Sequence, residues 1–258
     1  MLDRQFFSAF TFSLARRNLF LISCSCALVL CFFTADANAQ KRRAPGGGSR
    51  AIVIDERLSA LREEPDFAAR LVQRLSRGRQ VSIIGSRRTA DGTMFSRVAV
   101  TRRTRGWVQA DSLASPARGG DDERVLRLIR GSKDFDKLAR AQMFLENFTR
   151  SALRPTVLMI VGEESESFAT RLTREANRRL DTAEMQASGA PAHTFFLNYN
   201  GLDRLNRIGV SYTFDRQTKT YRYDGAAYRE IVRRHPRSSE AAEAGKRLGA
   251  RTDSPAAN

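Results

Sequence analysis

The chain has 258 residues, a formal net charge of +16 and 41% hydrophobic residues, enough apolar material for one or two domains with real cores. The basicity is almost entirely arginine, 39 Arg against 5 Lys. No aromatic RNA-binding motif, zinc-finger spacing or heptad-linked basic region accompanies it, which speaks against nucleic acid as the partner.

Residues 1–39 read as a secretory signal peptide. Arg16 and Arg17 precede an apolar run from Leu19 to Phe33, and Ala37-Asn38-Ala39 supplies a small-residue cleavage site. That run is shorter than the roughly 20 residues a transmembrane helix needs. Cleavage near Ala39 implies a periplasmic or secreted protein starting at Gln40. Arg16-Arg17-Asn18-Leu19-Phe20-Leu21 partly resembles a twin-arginine signal. Leu21-Ile22-Ser23-Cys24 resembles a lipoprotein box, and membrane association is expected only if Cys24 is lipidated. Cys24, Cys26 and Cys31 all lie in this segment, so the exported chain has neither disulfide nor thiol.

Residues 40–50 read as a flexible basic linker, rich in Gly. From 51 to 115 the pattern is that of short strands: Ala51–Ile54, Gln80–Ile84 ended by Gly85, Phe95–Val100, and Trp107-Val108, with Asp91-Gly92 as a hairpin turn. The order Leu61-Arg62-x-x-Pro65, Leu75-x-x-Gly78-x-x-Val81, Phe95-x-x-Val98 and Gly106-Trp107-Val108 with Leu113 resembles a bacterial SH3-like (SH3b) domain. Ser59 and Glu64 depart from that pattern, standing where it has an apolar residue and a turn glycine. The resemblance implies a small all-β barrel and a module that docks cell-wall peptides or partner proteins. Trp107 has two roles open to it. One is to close the barrel by packing against Val98 and Phe95, the favoured one. The other is to serve, with Arg62 and Arg105, as a ligand or partner surface.

Residues 116–122 are expected to be a linker, and 123–250 a mostly helical domain. Asp121 and Asp122 can cap a helix over Arg124–Ile129 that Gly131-Ser132 ends. Phe135, Leu138, Ala141, Leu145 and Phe148 form a second helical stripe. Pro155 opens a third helix, striped by Phe168, Leu172, Ala176 and Leu180. Ala187 to Pro191 is a break, and 208–224 reads as a β-hairpin with Val210, Tyr212 and Phe214 facing one way, Tyr221 and Tyr223 opposite them, and Asp215–Thr218 as the turn. The closing stretch YDGAAYREIVRRHPRSSEAAEAGKRL resembles one tetratricopeptide-type helical hairpin, which implies a partner groove and makes Tyr228 a candidate contact. Residues 251–258 read as a disordered tail.

The fold class expected is therefore α+β, an SH3-like barrel followed by a mostly helical domain. The inventory for catalysis is thin. His193 and His235 are isolated, no nucleophile elbow or phosphate loop occurs, and no metal-ligand spacing is present. Glu163-Glu164-Ser165-Glu166 reads as a dipole-favoured early helical turn rather than a pair of hydrolytic carboxylates. No catalysis, cofactor or metal is expected. The expected function is a non-catalytic envelope binding or scaffold protein whose partner is a peptidoglycan peptide or an envelope protein. A cell-wall-active hydrolase or accessory factor of unrecognised type is the alternative. The arginine excess reads first as compositional, with attraction to anionic envelope polymers as its functional alternative.

Overall fold

The structure, a computed structural model, describes residues 48–252. The signal segment with Cys24, most of the 40–50 linker and the end of the tail lie outside the described residues.

Seven short strands come first: β1 (Ser49–Val53), β2 (Ala60–Arg62), β3 (Leu71–Arg74), β4 (Gln80–Arg88), β5 (Met94–Ala99), β6 (Arg105–Gln109) and β7 (Leu113–Ala114). They pair antiparallel in the order β3-β2-β6-β5-β4-β1-β7. The two end strands are not joined, so the expected barrel is an open sheet with edges at β3 and β7. Strand β1 begins inside the segment read as a flexible linker, with Ser49 opposite Ile83. Strand β4 runs past Gly85, where the register slips between Ile83 and Gly85. A glycine inside a strand commonly marks such a bulge, and here it does not end the strand.

Eight α-helices follow among the described residues: α1 (Asp121–Arg130), α2 (Asp134–Asn147), α3 (Arg154–Arg179), α4 (Thr182–Ala187), α5 (Ala192–Leu197), α6 (Gly201–Asn206), α7 (Ala226–Arg234) and α8 (Ala241–Thr252). The hairpin strands β8 (Tyr212–Asp215) and β9 (Thr220–Tyr223) precede α7, with Tyr212 opposite Tyr223 and Phe214 opposite Tyr221 as the alternation requires. The last helix extends into the expected tail as far as Thr252.

Strand β1 positions the sheet against the helices. Ala51 and Val53 join Leu61, Val81, Val98, Val108 and Leu113 in a small core within the sheet. Ile52 and Ile54, on its other face, join Ala114 and the helix residues Val125, Ile129, Phe144 and Tyr228 in the larger core. A strand buried on both faces reads as a continuous apolar run, and Ala51-Ile52-Val53-Ile54 is one. The segment between sheet and α1 is tied down as well. The Asp121 carboxylate accepts from the Ser115 amide at 2.7 Å and from Arg118 at 2.8–2.9 Å. The Arg124 guanidinium donates to the carbonyls of Asp111 and Leu113. The first strand thus contributes to two cores, one within the sheet and one shared with the helices.

Candidate binding face

The acidic cluster and Tyr228 are used up structurally. Glu163–Glu166 lies in the middle of α3, not in an early turn, so the helix dipole does not account for it. Its members diverge instead. Glu164 pairs with Lys137 of α2 at 3.2 Å and with Arg171 at 3.0 Å, while Glu166 reaches Arg247 of α8 at 3.0 Å. The carboxylates clamp neighbouring helices and do not converge on a common point. Tyr228 is fully buried, so it is no partner surface. Its ring lies on Gly162 of α3, where a Cβ would collide with it. Burial, with the Glu166 carboxylate nearby, pushes its phenol above the usual range. The α7–α8 hairpin packs Tyr228, Ile231 and Ala244 into the larger core, and a cleft of about 260 Å³ beside α7 is lined by Ala226, Ala227 and Glu230. Among the described residues no group of three or more His, Cys, Asp or Glu side chains is placed to hold a metal ion. No described helix is long and apolar enough to cross a membrane.

The other three candidates come together on one face of the sheet. Antiparallel residues directly opposite one another share a face, as do residues two apart on one strand. In register, Arg62 of β2 faces Trp107 of β6, and Trp107 faces Arg97 of β5. Arg105, two residues before Trp107, points the same way. Val108 and Val98 turn to the opposite face and into the core. Trp107 therefore does not pack against Val98 as expected. It is half-buried on the outer face, between two arginines.

Gly106 makes this row possible. A Cβ there would lie 2.6 Å from the Arg62 carbonyl oxygen and 2.9 Å from Leu61, so only glycine lets β2 approach β6 this closely. Arg62 is itself half-buried, and its Nη1 donates to the Ala69 carbonyl at 2.6 Å, which fixes the guanidinium. Arg97 and Arg105 are exposed. None of the three arginines has a carboxylate partner among the described residues. Arg97 escaped the sequence reading. As the neighbour of the core residue Val98 it turns to the other face, which it shares with the buried Phe95, but only the β5–β6 register places it beside Trp107.

A cleft of about 500 Å³ opens on the same sheet, between the β2–β3 loop and the β4–β5 hairpin. Phe67 is half exposed and leans on buried Phe95 with ring centroids 5.2 Å apart. Glu64 and Asp66 stand on one side, Arg87 and Arg88 on the other. Asp91, at the hairpin tip, accepts from Thr89 and Thr93, and these hydrogen bonds favour its ionised form and hold its carboxyl below the usual carboxylate range.

Compared with protein-family models, curated proteins and solved structures, the chain has no match.

Proposed function

We propose that this is an exported, non-catalytic docking protein of the bacterial envelope. Its sheet serves as an SH3-like module that holds a cell-wall peptide or an envelope partner, and its helical part is the scaffold. The observation that carries this reading is the row Arg62–Trp107–Arg97, with Arg105 beside it. A rigid indole offers apolar area at small entropic cost, and flanking guanidinium groups recognise carboxylate or phosphate bidentately. The basic n-region, apolar run and Ala37-Asn38-Ala39 support export. The Gly106-Trp107-Val108 signature supports the SH3-like module.

The test is co-sedimentation of the mature chain, from Gln40 onward, with isolated peptidoglycan sacculi. The docking reading expects retention that falls in Trp107→Ala, with no soluble fragments released. Release of fragments would establish the hydrolase alternative instead. Mass spectrometry of the mature N-terminus checks the address: a start at Gln40 supports a periplasmic or secreted protein, and a diacylated Cys24 overturns it.

A further inference from the structure

The docking reading leaves open what the docked segment looks like, and the charge on the same face bears on that. Residues 71–110 contain nine arginines and a single acidic residue, Asp91. Only Arg77 of these nine is ion-paired among the described residues, to Asp136 at 3.1 Å and Glu56 at 3.5 Å. Asp91 is engaged by its own turn. Among the helices Arg154 holds Glu230 at 2.7 Å and Arg124 holds Asp121 at 3.2 Å, whereas the buried Arg140 donates to the Ser132 hydroxyl instead. Arg62 is the telling case. It is half-buried and pinned by one carbonyl, and it carries a charge that no acidic side chain of the described residues balances. A partly desolvated guanidinium of this kind is completed by an anion.

Resting on the docking proposal, we infer that the segment bound on this face is an acidic peptide, with an apolar side chain over Trp107 and a carboxylate to either side on Arg62 and Arg97. The spacing follows from the register. Arg62 and Arg97 lie two strand separations apart, about 10 Å, and an extended chain advances about 3.3 Å per residue. In an extended chain residues i, i+2 and i+4 share a face, so a carboxylate, an apolar residue and a second carboxylate at alternate positions, about 13 Å overall, bring all three side chains to the row, with the flexible Glu and Arg side chains closing the difference. The face suits an anionic bilayer less well. Trp107 sits between strands rather than on a protruding loop, and the exposed Phe67 stands next to Glu64 and Asp66. It suits single-stranded nucleic acid less well too, because the row presents one indole and no succession of aromatic rings for stacked bases.

Trp107 is the sole tryptophan, so its fluorescence reports directly on the face. The mature chain is titrated with the peptide Ser-Glu-Ala-Leu-Ala-Glu-Ser, with its Ser-Gln-Ala-Leu-Ala-Gln-Ser counterpart, with phosphatidylglycerol vesicles and with oligothymidylate. The acidic peptide is expected to bind about tenfold or more tightly than the glutamine version. Arg97→Glu, with its circular dichroism unchanged, is expected to abolish that preference. Equal binding of the two peptides overturns the inference and leaves docking intact. So does silence of both peptides while sacculus retention still depends on Trp107. Saturation by vesicles or oligothymidylate at lower concentration than by the acidic peptide overturns it in favour of that occupant. If the peptides are silent and retention ignores Trp107→Ala, the docking proposal falls with it.

Discussion

Gly162 and Tyr228 show how one missing methyl sets the packing of three helices. The Tyr228 ring occupies the space a Cβ at Gly162 would need, and that contact seats α7 and α8 on α3. Alanine normally stabilises a helix relative to glycine by about 1 kcal/mol. At Gly162 the overpacking cost of about 1–3 kcal/mol opposes it. Gly162→Ala is predicted to lower the unfolding free energy, whereas Gly245→Ala in α8, where a Cβ meets nothing, is predicted to raise it. Chemical denaturation of both variants checks the pair; a stabilised Gly162→Ala would contradict the packing described. Sequence alone misplaces Tyr228 because an aromatic in an amphipathic helix shows which stripe it joins, not whether another helix covers that stripe. Trp107 fails for the matching reason. Its neighbours Gly106 and Val108 belong to the core face, and only cross-strand register reveals that the indole lies between Arg62 and Arg97.

Among the elements, the β8–β9 hairpin is the most legible. Alternation over 210–223 gives its strands, its turn and which aromatics oppose which strand, and the register completes it with the Tyr212–Tyr223 and Phe214–Tyr221 pairs. Its tyrosines also give it a pH signature. Burial pushes the Tyr221 phenol up to about 12 and raises those of Tyr212 and Tyr228 as well. The neutral phenol is the form the folded state favours, since ionisation would leave a charge in an apolar site. Stability from Tyr221 is therefore complete below pH 10, its unfolded value, and is lost as pH rises from there through about 12. The melting temperature is predicted to fall across that window, and less steeply in Tyr221→Phe; an equal fall in both would rule out Tyr221 as a contributor. Strand β1 is legible only in part. Its apolar run announces burial, yet a run without alternation cannot say that Ala51 and Val53 serve one core and Ile52 and Ile54 another. Ile52→Ala is predicted to cost about 2–5 kcal/mol, the usual range for a fully buried aliphatic.

The shared strand governs the whole molecule. Because β1 feeds both cores and Asp121 binds the segment leaving the sheet, sheet and helices should unfold together. Calorimetry is predicted to give one transition for the mature chain; two well-separated transitions would mean the sheet and helices are independent domains, as the linker-like composition of 116–122 implied. The charge distribution is also a property of this scale. Counted along the chain, arginine looks evenly spread, and only the strand register gathers Arg62, Arg97 and Arg105 around Trp107 without a carboxylate among the described residues. Retention through that sheet should weaken as salt screens it. The most direct test of docking at the Arg62–Trp107–Arg97 face is a fluorescence titration of Trp107 with soluble peptidoglycan fragments, in the mature chain and in Arg97→Glu. A saturable change in the parent that Arg97→Glu loses is the predicted result. Sedimentation with sacculi that leaves Trp107 fluorescence unchanged would contradict it.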